Sequence, residues 1–339
     1  MTFSTRTLER EFWIRIFLHW TSKTKAFNVC HASKKSVSLL ISCLTEFCNY
    51  YEEWEKQNLL PQVNVSQRNR EVRMSLAERL SVVILFHLSG YRYFKYFYQG
   101  DILKENCESY PEALSYTRFV ALKPRLIMPL LTWLHILRGE KTGVYYIDST
   151  KLEVCHLKRS NSNKLFAQIA THGKTTTGWF FGLKLHLVVN DKGEFMGLRI
   201  TTGKSDDRPV VAGLMKGLNG HLYADKGYIS GKLTESLLKK GIKMITYIRR
   251  NMKARLIHIW DLFRLKKRGI IESIFGTLKT NMNLQHTRHR STTNFVLNIF
   301  AAIAAYIFRQ KNLRPSKIRS LCSKCLIQNW SWPTESRWF

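Results

Sequence analysis

Residues 178–202 limit the possible folds of this chain more than any other stretch. Two apolar, aromatic and β-branched runs, GWFFGLKLHLVVN and EFMGLRITT, flank Asp191-Lys192-Gly193. Strand-forming runs separated by a short turn containing Asp and Gly predict an antiparallel hairpin. Short runs of the same texture lie on either side: VYYID (Val144 to Asp148), HLYAD (His221 to Asp225) and IKMITYI. Between them, Asp207 and Pro209 start a helix expected to run to about Leu218, and a second helix is predicted near 231–240. Strand, hairpin, helix, strand, helix, strand, helix is the order of a mixed α/β domain.

Upstream the texture is helical. Ser75 is placed to cap a helix whose apolar positions include Leu76, Leu80, Val83 and Phe86. GYRYFKYFYQG follows, aromatics alternating with Arg92 and Lys95, a pattern that suits either base stacking or a buried aromatic cluster. Leu114 to Leu137 is apolar and helical, with Pro124 and Pro129 expected to kink or break it. The sequence therefore divides into a basic extension (1–36), a helical region (37–138) read as DNA-recognizing, an α/β domain (139–312) and a tail (313–339).

The 339 residues include 54 Lys and Arg against 24 Asp and Glu, a net charge of +30. Such a charge selects polyanionic partners, and its spread along the chain fits an extended nucleic-acid footprint. The longest apolar run, Asn294 to Phe308, is shorter than the roughly 20 residues of a membrane span, so a cytoplasmic protein off the membrane is expected. Seven cysteines at irregular spacing do not form a disulfide framework. Cys322-Ser-Lys-Cys325 is a lone CxxC with no second pair of zinc ligands nearby, and reads as two thiols in a loose tail.

Three acids occupy positions suited to chemistry. Asp148 and Asp225 are each expected to end a strand, and ligand sites of open α/β sheets lie beyond the carboxyl ends of strands. Glu272 sits on a helix predicted from about Lys266 to Met282, bordering the apolar stripe Ile271, Ile274, Phe275, Leu278 and Met282. Arg268, four residues before it, and Lys279, seven after, share nearly its face. They read either as phosphate contacts beside a metal ligand or as an ordinary surface pair. Two carboxylates about 4 Å apart repel by roughly 4 kcal/mol at an effective dielectric near 20, so three together call for divalent cations. Hard oxygen donors favour Mg²⁺ or Mn²⁺, and two such ions can clamp the attacking and leaving oxygens of a phosphodiester.

At these residues the chain resembles the DDE transposases of bacterial insertion sequences. The phrases that carry the resemblance are YYIDST, GWFFGLKLHLVVND, LYADKGYIS, RGIIESIFGTLK and NMNLQHTRHRSTTNF, in that order. It spans roughly residues 40–312 and looks most like the branch called insertion-sequence nine-eight-two. It implies an RNase H-like mixed sheet, with Asp148, Asp225 and Glu272 as the acid triad. Two Mg²⁺ (or Mn²⁺) ions are implied, Asp148 bridging them, with double-stranded DNA as partner and a homodimer when two element ends are paired. Arg268 and Lys279 match the Arg and Lys of an R-x3-E-x6-K signature, whereas the Tyr that often precedes that Arg by three residues is Leu265 here. Any route that needs that Tyr to hold a flipped base is in doubt. Only 272 − 225 = 47 residues separate the last two acids, which leaves no room for the large β insertion of some relatives.

Other groups have two readings each. Lys184 and His186 alternate with Leu183, Leu185 and Leu187 on a polar sheet face, and Lys184 is a candidate DNA contact. Arg288 and Arg290, with His286 and His289, form a basic cluster placed for phosphates or for solvent. Trp179 could stack on a base or pack at a strand end. Asp206 and Asp207 read as helix caps, with metal contact as the alternative. Gly203-Lys204-Ser205 lacks the spacing of a phosphate-binding loop. The rival functions are an RNase H-like nuclease that never joins, and a non-catalytic DNA-binding remnant of a mobile element.

Overall fold

The computed structural model describes residues 34–58, 72–176, 178–248, 252, 256–285, 289–311 and 313–327. Its first part is helical: α1 (Lys34–Asn58), α2 (Leu76–Leu88), the short α3 (Phe94–Phe97) running into a π-helical segment (Tyr98–Glu105), α4 (Tyr116–Leu122) and α5 (Ile127–Ile136). Ser75 caps α2 as expected, its hydroxyl accepting from the Glu78 N–H while the Glu78 carboxylate accepts from the Ser75 N–H at 2.7 Å. This reciprocal box satisfies two donors that a helix start otherwise leaves unpaired. Pro124 sits in a 3₁₀ turn (Lys123–Leu126) separating α4 from α5, whereas Pro129 is accommodated in the first turn of α5. The aromatic segment is a packed cluster. Phe97 and Tyr98 are buried, and Phe94 stacks on Phe119 at 5.8 Å, with the Lys123 ammonium 3.7 Å from its ring centre.

The sheet follows: β1 (Val144–Cys155), β2 (Thr171–Thr175), β3 (Gly178–Asn190) and β4 (Phe195–Thr202), then α6 (Arg208–Leu214), β5 (Gly220–Ala224), α7 (Gly231–Leu238) and β6 (Ile242–Thr246). β1 pairs antiparallel with β3 and parallel with β5, β3 pairs antiparallel with β4, and β5 pairs parallel with β6. The order β4-β3-β1-β5-β6, two antiparallel and two parallel joints around β1, is that of an RNase H-like mixed sheet; β2 extends the β4 edge of β3. The β3–β4 hairpin falls where its turn residues place it. Gly193, at φ +76°, supplies the left-handed residue that closes the turn, and the Asn190 N–H donates to the Glu194 carbonyl at 3.0 Å.

Among the described residues four helices follow: α8 (Ile259–Lys266), α9 (Gly269–Thr280), α10 (Thr292–Lys311) and α11 (Pro315–Ile327). The two faces of the sheet bury different sets. Tyr145, Ile147 and Val188 pack with Val211, Leu222 and Leu237 beneath α6 and α7. Tyr146, Leu185 and Leu187 pack on the other face with Ile271, Ile274 and most of α10. That second core is continuous with the helices before residue 138, so the sequence boundary at 138/139 is a change of texture within one core.

Two expectations change here. Residues 313–327 are not a loose tail: α11 packs on α1, Arg319 pairs with Glu46 at 2.6 Å, and the Cys322 thiol is buried. Cys325, most of the 1–36 extension and residues 328–339 lie outside the described residues or side chains. The apolar run at 294–308 also belongs to a longer helix. Tyr116–Ile136 and Thr292–Lys311 are each long and apolar enough to cross a membrane by composition alone, but much of each is buried inside the protein.

Candidate active site

Asp148 does not end its strand, as the sequence suggests; β1 runs seven residues further, to Cys155. What ends is its pairing with β5, at Tyr146 opposite Tyr223. Two residues on, β1 reaches Asp148 and the β5 chain reaches Asp225, the first residue beyond that strand. The sheet opens between β1 and β5 at this level, so the two carboxylates meet at a strand end in the sense that matters, the end of the parallel ladder. Alternation along β1 places Asp148 on the same face as Tyr146, the face covered by α9.

The helix expected from about Lys266 to Met282 is α9, Gly269–Thr280, and a separate helix, α8, ends just before it at Lys266. The chain turns at Lys267 and Arg268, where Arg268 donates its N–H to the Leu265 carbonyl at 3.2 Å and Ile271 donates to the Arg268 carbonyl at 3.0 Å. Glu272 is therefore in the first turn of α9. Leu265, three residues before Arg268, is buried in the core.

Arg268 stands at the centre of the three acids. Its guanidinium lies 2.9 Å from Glu272 Oε1, 3.5 Å from Asp148 Oδ2 and 3.7 Å from Asp225 Oδ1. Asp148 is the most enclosed acid, its side chain 21% exposed against 51% for Asp225 and 57% for Glu272. Burial pushes the Asp148 carboxyl up to about 6; the Ser149 N–H, donating to Oδ1 at 2.8 Å, and Arg268 oppose this, while Asp225 and Glu272 add to it. Three carboxylates against one guanidinium leave an excess charge of −3 + 1 = −2 when all are ionised. Among the described residues no three acidic or imidazole side chains close directly around a single point. The donor set, all carboxylate oxygen with net negative charge, nevertheless suits a hard divalent cation that shares or replaces the role of Arg268.

The remaining candidates fall in different places. Lys279 is half-buried over β1, its pKa lowered by burial and by nearby Lys151 against Glu153. Lys184 is not presented to DNA: its ammonium donates to the Ser205 carbonyl at 2.8 Å and to Asp207 Oδ1 at 2.9 Å. His186 is fully buried and bonded to Thr201 at 2.8 Å, so the face it shares with Lys184 is an interior one. Asp207 precedes α6 without capping it; its carboxylate holds Lys184 and the Ser149 hydroxyl, while Asp206 accepts from the Arg208 N–H at 3.1 Å. Arg290 is exposed, and Arg288 lies outside the described residues. Trp179 is 59% exposed near the β2–β3 turn, with the Lys174 ammonium 5.8 Å from its ring. One surface escaped the sequence reading: Ile259, Trp260 and Phe263 expose an apolar face of α8 immediately before Arg268. Its signal was the spacing of Trp260 and Phe263 within a basic stretch.

The sheet thus has an RNase H-like strand order, with three acids gathered where its parallel ladder opens. Residues 138–292, a little under half of the chain, match the family model described as a transposase DDE domain. The piggyBac transposase in its synaptic complex with hairpin DNA is a solved structure similar to this chain at 11% identity and a TM-score of 0.41, over 89% of this chain and 82% of that one. No curated protein matches the sequence.

Proposed function

We propose that Asp148, Asp225 and Glu272 are the catalytic triad of a transposase that cuts double-stranded DNA at the ends of an insertion sequence and joins the freed end to a target. The observation behind this is the convergence of three carboxylates from β1, the end of β5 and α9 on one guanidinium in a protein of net charge +30. The triad would hold Mg²⁺ or Mn²⁺, two ions by the chemistry of the class; when bound, they supply a water nucleophile at neutral pH and offset charge on the phosphodiester. The chain's own residues set up that step. Asp148 is fixed by the Ser149 N–H and enclosed, so one of its oxygens has a defined direction. Asp225 and Glu272 are half exposed and adjust to the substrate. Arg268 offsets one of the three acid charges, and with a cation in place its guanidinium would be free to bind a phosphate. Lys279, further along α9, and Arg290 after it extend the basic track for the DNA backbone, and Arg288 is a further candidate contact from its sequence position alone. Helices α1 to α5 would form part of the DNA-recognizing surface, and pairing of two ends would involve two copies of the chain.

Asp148→Asn, Asp225→Asn and Glu272→Gln should each abolish Mg²⁺-dependent cleavage of a duplex carrying the element end, and each should still shift that duplex in a gel. Full cleavage by any one variant would remove that residue from the triad. A donor with a free 3′-hydroxyl and a supercoiled target tests joining. Absence of joined product from an enzyme that cleaves would make it a nuclease alone.

A further inference from the structure

Asp207 lies outside the triad, yet it is tied to it. Asp148 and Ser149 are consecutive in β1 and point to opposite faces of the sheet. Asp148 faces α9. Ser149, opposite His186 in the β1–β3 register, faces the α6 side, where its hydroxyl donates to Asp207 Oδ2 at 2.8 Å. The other Asp207 oxygen accepts from Lys184 at 2.9 Å, and Lys184 also donates to the Ser205 carbonyl at 2.8 Å. All three side chains are partly buried. The Tyr228 hydroxyl, in the turn after Asp225, is buried beside Ser149 within reach of the Asp207, Asp148 and Asp225 charges. Lys184, Asp207 and Ser149 thus form a chain of hydrogen bonds ending on the residue whose backbone N–H holds Asp148 Oδ1 at 2.8 Å.

We propose that Asp207 is a positioning residue for Asp148, acting through Ser149 from the opposite face of the sheet. β1 loses its β5 neighbour after Tyr146, so the segment carrying Asp148 and Ser149 is held by hydrogen bonds to β3 on one side only. The Asp207–Ser149 bond replaces the missing restraint and keeps the Ser149 N–H aimed at the carboxylate. Lys184 supplies a counter-charge, so a fourth acid sits near the triad without adding its full charge. The face on which Asp207 lies sets it apart from a fourth metal ligand.

This inference rests on the triad holding a divalent cation, and Mn²⁺ binding by the full chain, followed by electron paramagnetic resonance without DNA, tests it apart from activity. Outer partners that orient a metal ligand typically contribute 10–100-fold to metal affinity. Ser149→Ala and Asp207→Asn should therefore raise the half-saturating Mn²⁺ concentration about ten-fold or more. Ser149→Thr, which keeps the hydroxyl, should stay near wild type. Unfolding midpoints in EDTA identify any variant whose loss is only one of folding, and Ser149→Ala, a one-atom deletion, carries the test if Asp207→Asn does not fold. Unchanged Mn²⁺ affinity in a folded Ser149→Ala would overturn the inference. So would Asp207→Asn losing binding as fully as Asp148→Asn while Ser149→Ala retains it, because Asp207 would then be a ligand. Asp148→Asn with wild-type Mn²⁺ binding would overturn the metal-holding triad itself, and this inference with it.

Discussion

His87 on α2 ties the helical part of the molecule to α9, and it makes the fold sensitive to acid. Its side chain is buried, and its Nδ1 lies 2.6 Å from the carbonyl oxygen of Met282, just past the end of α9. An imidazole against a carbonyl must carry its proton on that nitrogen, so the neutral tautomer is fixed. A second proton would put a charge in an apolar enclosure. Burial accordingly lowers the pKa from 6.5 to about 4; the Met282 bond opposes the shift and Lys123 adds to it. As pH falls, the unfolded chain takes up this proton near 6.5, whereas the folded protein resists it until about 4. The stabilising contribution is complete above pH 6.5 and is lost progressively between 6.5 and 4. A gap of 6.5 − 4 = 2.5 units corresponds to about 3 kcal/mol. The measurement is urea unfolding, followed by tryptophan fluorescence, from neutral pH down to about pH 4.5, comparing wild type with His87→Gln. Glutamine keeps a donor for Met282 but does not titrate. It should lower stability at neutral pH and flatten the acid slope by about 2.5 kcal/mol by the end of the range. His135 and His186, which burial lowers to about 3 and about 4, titrate in both proteins, so the difference isolates His87. Parallel pH profiles would refute the argument, because they would mean that His87 accepts its proton as readily folded as unfolded.

Two further perturbations test the arrangement around α9 and the start of α2. Arg268→Ala leaves three carboxylates facing one another. Breaking a buried ion pair costs about 3–5 kcal/mol, and with Asp225 and Glu272 half exposed the expected loss is smaller, about 2 kcal/mol in EDTA. Millimolar MgCl₂ should recover part of it, and equal stability of variant and wild type in EDTA would rule out Arg268 as the counter-charge of the site. Ser75→Ala removes one half of the capping box and should cost about 1 kcal/mol by urea unfolding, while Ser75→Asp, which keeps the acceptor, should stay near wild type.

The parts of the fold legible in the sequence are those with a local cause. Asp191-Lys192-Gly193 between two apolar runs can do little but turn, and Ser75 marks a helix start through a bond made three residues on, at the Glu78 N–H. The placement of the three acids was legible because short strand-forming runs lead into Asp148 and Asp225, and because Glu272 borders an apolar stripe. What failed required knowing the partners. Nothing in VYYIDSTKLEVC says that β1 outlasts its parallel neighbour; the opening of the sheet at Asp148 depends on β5 ending at Ala224, in a separate stretch of chain. The helix that carries Glu272 is legible from its apolar spacing, whereas α8 just before it lies in a stretch that reads only as basic. Lys184 carries the same lesson for electrostatics. Alternation correctly puts it on one face with His186, but whether a lysine faces DNA or an internal aspartate depends on what covers that face. Here that is the chain entering α6, 23 residues on, bringing Asp207. A residue type at a strand position thus specifies a face and a charge, while its role depends on the element packed above it.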